Sequence, residues 1–141
     1  MTLVVDASVA VKWFVNQPDS VQAKAVADGD DVLIAPDFII AEVGNALWRH
    51  VRVKEISLDQ AIEAVTDLPL ILGEIVSSTM FSEAALRLAV AMDHPVYDCL
   101  YAVLALERRA TLVTDDRRFA EKLRVSRRLP NVKLLDEIAA R

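Results

Sequence analysis

Four acidic side chains stand where an acid is either costly or unnecessary unless it does chemistry. Asp6 directly follows the apolar run Leu3-Val4-Val5, and Asp116, with Asp115 before it, directly follows Leu112-Val113-Thr114. In IIAEVGNALW, residues 39–48, Glu42 is the only acid, and Asn45 and Arg49 lie three and seven positions further on, on the same helical face. In PVYDCLYAVLALE, residues 95–107, Asp98 is the only charge before Glu107. Two carboxylates ~4 Å apart repel by ~4 kcal/mol at an effective dielectric of about 20, and no nearby Lys or Arg compensates each of these acids. If they meet, they need a cation. Clustered oxygen ligands without His or Cys suit Mg²⁺ or Mn²⁺ rather than zinc, and the chemistry of such a cage is hydrolytic phosphoryl transfer.

Each acid also has a plainer reading. Asp6, Asp115 and Asp116 sit at strand-to-helix turns, where Asp is a common N-cap. Asp98 falls in a first helical turn, where the helix dipole favours an acid by only ~0.3–1 kcal/mol. That gain is too small to offset a lone buried carboxylate, which costs several kcal/mol without a partner. The four become one site only if the fold brings strand ends and helix starts to the same edge.

The surrounding elements are predicted to do that. Apolar runs give strands at Leu3–Val5, Val32–Ala35, Leu70–Val76, Leu112–Thr114 and Val132–Leu135. Helices are expected over Ala7–Phe14, from an Asp37 cap to about Lys54, from Ser57 to about Asp67 with a stop near Pro69, over Thr79–Met92 and Tyr97–Arg109 around an Asp93-His94-Pro95 loop, and over Asp116 to about Leu123. The alternation implies an α/β fold, a three-layer α/β/α arrangement on a mostly parallel sheet of four to five strands, in a single domain spanning 1–141. Such sheets bind ligands outside the carboxyl ends of their strands, where Asp6, Asp115 and Asp116 lie.

Composition sets the boundaries. The 141 residues are 54% hydrophobic and 26% charged, ordinary globular material. One cysteine, Cys99, permits no internal disulfide, and MTLVVDAS lacks the basic and apolar regions of a signal peptide, so a cytoplasmic location is expected. No apolar stretch reaches the roughly 18–20 residues of a membrane span. The net charge of −5 is unevenly spread: residues 1–106 carry 6 Lys and Arg against 15 Asp and Glu, residues 107–141 carry 10 against 6. A basic C-terminal quarter beside an acidic centre suits phosphate contacts as well as a solvated helix face. The chain has no Gly-rich phosphate loop, since its glycines are Gly29, Gly44 and Gly73, and Ser8 stands where an aspartyl phosphatase would want a second Asp.

The segments VVDASVAVKWF, IIAEVGNALW, YDCLYAVLA and LVTDDRRF resemble, in that order, the motifs of PIN-domain ribonucleases, specifically the VapC-type toxins of toxin–antitoxin pairs. The resemblance spans nearly the whole chain. It implies a helix-flanked parallel sheet, dependence on Mg²⁺ or Mn²⁺, and endonucleolytic cleavage of RNA leaving a 5′-phosphate. Matched position by position, Asp6, Glu42, Asp98 and Asp116 correspond to the family's four metal-holding acids, and Ser8 and Thr114 to its supporting hydroxyls. Asn45 matches a polar position that orients the Glu or a water. Asp116 is expected to face the metal, with Asp115 capping the helix or adding outer charge. Arg117, Arg118 and Lys122 are the expected RNA contacts.

The resemblance also implies a VapB-like antitoxin whose C-terminal segment lies in the toxin's groove, DNA contact only through that antitoxin, and a homodimer. The competing reading is a catalytically silent PIN-like interaction module, which is expected to lose acids. Other residues read as structural. His50 and His94 have no paired ligand spacing and are expected on a helix surface and in a loop. Cys99 reads as core packing, and Trp13, Phe14 and Trp48 as core or dimer contacts rather than base-stacking platforms.

Overall fold

The computed structural model describes residues 1–128 and 131–139. Five strands form one sheet: β1 (Thr2–Val5), β2 (Val32–Pro36), β3 (Glu74–Val76), β4 (Thr111–Thr114) and β5 (Val132–Leu134). Their order is β3-β2-β1-β4-β5 and every pairing is parallel, with Leu3 opposite both Leu33 and Thr111. The chain lays β2 and β3 on one side of β1, then returns to build β4 and β5 on the other. The order therefore reverses between β1 and β4, the place where open parallel sheets bind ligands.

Helices α1 (Ala7–Ala10), α2 (Ser20–Asp28), α3 (Ile39–Arg52), α4 (Leu58–Ile71), α5 (Ser82–Met92), α6 (Val96–Arg108) and α7 (Arg117–Ser126) complete a three-layer α/β/α fold. The core is Val4, Val5, Leu33, Ile34, Leu112 and Val113 of the sheet, with Leu100 to Ala105 of α6 laid across β1, β2 and β4. The side chains of α6 alternate little in polarity because the helix is sandwiched between the sheet and α5.

Several boundaries differ from the sequence expectation for local reasons. Helix α2 was not anticipated. Ser20 starts it, accepting from the Gln17 N–H at 2.9 Å and donating to Val15 O at 3.2 Å, and Trp13 Nε1 donates to Ala23 O at 2.8 Å. Asp37 does not cap α3, because that helix begins two residues later. Its carboxylate instead accepts from the Ser78 N–H at 3.1 Å and the Ser78 hydroxyl at 2.5 Å, tying the β2–α3 turn to the end of β3. Ser57 caps α4 as expected, exchanging bonds with Gln60 in a capping box. Helix α4 then runs past Pro69 to Ile71, since a proline in the last turn forfeits one hydrogen bond while its fixed φ still suits a helix. β3 is thereby confined to three residues. It is preceded by Gly73, whose N–H donates to Leu33 O at 2.7 Å and where an added Cβ would fall 2.9 Å from Val32 Cγ1.

Candidate active site

Asp6 ends β1 and caps α1. Its Oδ1 accepts from the Val9 N–H at 3.2 Å and from the Ser8 hydroxyl at 2.5 Å, and its Oδ2 accepts from the Thr114 hydroxyl at the end of β4. Each hydroxyl also receives a backbone N–H from the β4–α7 turn: Asp115 N–H reaches Ser8 Oγ at 2.9 Å and Asp116 N–H reaches Thr114 Oγ1 at 3.0 Å. The two hydroxyls thus bolt β1 to β4 at the switch point, with their acceptor and donor capacity directed. Asp6 is 6% exposed. Burial pushes its carboxyl up to about 7, against the lowering effect of Ser8, Thr114 and the Val9 N–H, and the nearby charge of Asp98 raises it further.

Glu42 projects from the first turn of α3 and Asp98 from the first turn of α6. Tyr101, 1% exposed, donates its hydroxyl to Glu42 Oε1 at 2.7 Å. Burial raises the Glu42 carboxyl above its ordinary range, Tyr101 opposes that shift, and the charge of Asp98 adds to it. The Tyr101 phenol is itself pushed well up, first by burial and then by Glu42, Asp6 and Asp98. The charge of Asp98 thus bears on both Asp6 and Glu42. Asp98 is partly open, its side chain 30% exposed, and its Oδ2 lies 2.7 Å from His94 Nε2.

The two neighbouring aspartates divide their roles differently from the expectation. Asp116, not Asp115, is the N-cap of α7: its Oδ1 accepts from the Phe119 N–H at 3.0 Å. The helix starts at Arg117, so only residue 116 can reach the third N–H. Asp115 instead pairs through Oδ2 with Lys12 Nζ at 2.7 Å, and Lys12, 7% exposed, also donates to Pro18 O at 2.6 Å. Asp116 joins the acids through the Thr114 hydroxyl, with its Oδ2 free of any hydrogen bond from the described residues.

Among the described residues, no group of three or more His, Cys, Asp or Glu is gathered tightly enough to hold an ion. Each of the four carboxylates is anchored by donors of its own. Asp98, Glu42 and Asp116 each commit one oxygen to a fixed donor and leave the other open, among the described residues. Oxygen-only donors with one atom pinned and one presented fit a hard divalent cation that keeps much of its water. The donor set suits Mg²⁺ or Mn²⁺.

The other expected residues separate. Ser8 and Thr114 support Asp6 directly, whereas Asn45 is exposed on α3 and has no hydrogen bond to Glu42 or any other described side chain. Arg117 is ion-paired with Asp136, and Lys122 Nζ donates to Asp93 O at 3.0 Å while standing 3.3 Å from His94 Nδ1. Arg118 has no partner among the described residues and lines a cleft between α5 and α7 with Lys122 and Arg128. His50 sits half-buried between Glu55 and Gln17, Cys99 is buried with its thiol pushed up to about 11 by burial, and Trp48 is exposed beneath Arg52.

Sequence reasoning missed Lys12, His94 and Tyr101. Lys12 was visible as the only cation within VAVKWF and Tyr101 as the residue three after Asp98 on the same helical face, whereas His94 stands in the loop before that helix.

A family model described as PIN domain matches residues 3–124. Ribonuclease VapC3 of Pyrobaculum aerophilum is 32% identical over 124 residues, 86% of this chain and 95% of that protein. The crystal structure of PAE2754 from the same organism superposes with a TM-score of 0.74 at 22% identity, covering 97% of this chain and 85% of that one. A chain of VapBC2 from Rickettsia felis, solved bound to a DNA fragment from their promoter, gives a TM-score of 0.60 at 19% identity over 95% of this chain and 97% of that one. At those identities the two structures speak to the fold.

Proposed function

The chain belongs to the PIN-domain family, and from that premise we propose that it is a metal-dependent endoribonuclease, the toxin of a toxin–antitoxin pair, with residues 1–141 forming one catalytic domain in the cytoplasm. The observation that carries the reading is the setting of Asp6, a buried carboxylate at the β1–β4 switch point that is held by the Ser8 and Thr114 hydroxyls and feels the charge of Asp98. A relative named as a ribonuclease supports the activity, and a structural neighbour taken from VapBC2 bound to DNA supports an antitoxin partner through which DNA is reached. No helix among the described residues is long and apolar enough to cross a membrane.

In this reading Asp6, Glu42, Asp98 and Asp116 would hold Mg²⁺ or Mn²⁺, which would supply Lewis acidity at the scissile phosphate and make water easier to deprotonate. Ser8 and Thr114 keep the Asp6 carboxylate in one orientation. Glu42, its carboxyl raised by burial and pinned through Oε1 by Tyr101, presents Oε2 to take the proton of the attacking water. Arg118, two residues after Asp116, holds the RNA backbone from the cleft between α5 and α7. A furrow between α3 and α4, lined by Leu47, Trp48, Val51, Leu58 and Ile62, is the apolar surface that an antitoxin segment or a second copy covers.

The test is cleavage by the purified chain. A panel of cellular RNAs should be cut with Mg²⁺ or Mn²⁺, spared with EDTA, and spared by Asp6→Asn. An intact panel from a folded protein that binds Mn²⁺ would leave the silent interaction module standing.

A further inference from the structure

His94 is built into the fold more firmly than a loop residue needs. Its side chain is 7% exposed, and its ring stacks on Phe119 of α7 with centroids 4.6 Å apart and planes 23° from parallel. Both nitrogens are engaged. Nε2 lies 2.7 Å from Asp98 Oδ2, and Nδ1 lies 3.3 Å from Lys122 Nζ, whose position is set by a further bond to Asp93 O at 3.0 Å.

An ammonium has donors only, so the Lys122 contact uses the lone pair of Nδ1 and leaves Nε2 to donate to Asp98 Oδ2. The other carboxylate oxygen, Oδ1, has no partner among the described residues.

We propose that His94, locked by Lys122 and Phe119, is the positioning residue for Asp98: it holds Oδ2 and leaves Oδ1, which has no partner among the described residues, to the ion. The proposal rests on the reading of Asp98 as a metal-holding acid. Its physical basis is that a carboxylate with both oxygens free samples several orientations, whereas one held by a buried, two-sided donor keeps the geometry an ion requires. A merely structural His94 would need only its stack on Phe119. Here the ring also spends each nitrogen on a group of a different element, α6 on one side and α7 on the other.

The experiment measures Mn²⁺ affinity by the electron paramagnetic resonance of free ion, and the tautomer by ¹⁵N NMR of the metal-free protein. Wild type should show one protonated and one unprotonated His94 nitrogen, with the proton on Nε2. Asp98→Asn should lose Mn²⁺ binding. His94→Leu should weaken it about 10- to 100-fold, the usual effect of losing the donor behind a ligand. His94→Gln, whose amide N–H reaches the Nε2 position, should restore most of that loss. Lys122→Met should leave the stack intact, mix the two tautomers, and weaken Mn²⁺ by a smaller factor. Wild-type affinity in His94→Leu, with Asp98→Asn still defective, would overturn the positioning role and leave the metal site in place. Equal defects in His94→Gln and His94→Leu would assign the loss to packing and also overturn it. Wild-type affinity in Asp98→Asn would remove the metal reading of Asp98, and the proposal with it.

Discussion

The Thr114 hydroxyl donates to Asp6 Oδ2 across 108 positions of sequence and accepts the Asp116 N–H on its other side. One fully buried oxygen therefore connects β1, β4 and the start of α7. Thr114→Val keeps the shape and removes both bonds, leaving a buried carboxylate short of a donor. It should cost about 1–3 kcal/mol in urea unfolding and raise the Asp6 carboxyl further. Thr114→Ser should keep most of the stability, and a Val variant as stable as wild type would show that the bridge is not a structural bond.

Asp6 links stability to pH in a direction opposite to that of an ordinary salt-bridged acid. Its folded carboxyl is raised from 3.8 to about 7, so between those values the folded chain holds a proton that the unfolded chain has released. Stability from this group is present below about pH 4 and is lost as pH rises through about 7, by up to about 4 kcal/mol without metal. Glu42 is shifted in the same sense. Urea melts between pH 4.5 and 7.5 should show this decline, with Asp6→Asn flattening it and Mn²⁺ offsetting it at the upper end. Identical profiles for wild type and Asp6→Asn would return Asp6 to an ordinary carboxyl.

Asp115 and Asp116 should respond to substitution in different ways. Asp116→Ala removes the cap of α7, costing ~0.5–2 kcal/mol, and should abolish cleavage. Asp115→Ala strands the buried Lys12 ammonium, which keeps only Pro18 O, and should cost about 1–3 kcal/mol while retaining much of the activity. Adding Lys12→Met to Asp115→Ala should recover part of that loss in a double-mutant cycle. An additive double variant would show that the pair is not coupled.

Tyr101→Phe removes the donor that restrains the Glu42 carboxyl. The carboxyl should rise further, so the acid limb of the pH–rate profile should move to higher pH, and the rate should fall roughly tenfold, as is usual when a group behind a site carboxylate is lost. An unmoved acid limb would take Glu42 out of the proton-transfer step.

The basic residues of α7 should not be equivalent towards RNA. Arg118 lines the α5–α7 cleft without an acidic partner among the described residues, whereas Arg117 is neutralised by Asp136. Arg118→Ala should lower the salt dependence of RNA binding by about one unit of slope, and Arg117→Ala by less. Equal changes in slope would show that the Arg117–Asp136 pair opens on RNA.

Much of this protein was legible without coordinates because it depends on neighbours in sequence. Runs such as Leu3-Val4-Val5 and Leu112-Val113-Thr114 become strands because both faces of a parallel sheet are apolar, and Ser57 with Gln60 forms its capping box within one turn. Asp6, Glu42, Asp98 and Asp116 could be picked out because a lone acid in or beside an apolar element is conspicuous. Helix α2 escaped because SVQAKAVAD has little contrast between its faces, and Asp37 and Asp115 were misassigned because a cap depends on the exact residue at which a helix starts. What the tertiary structure alone decided is which donor each acid receives. Tyr101 reaches Glu42 over 59 positions and Thr114 reaches Asp6 over 108, while Lys12 meets Asp115 across the β1–β4 seam. Apolar burial is a property of local pattern, but a hydrogen bond needs two particular atoms within about 3 Å, and only the closed sheet brings these partners together.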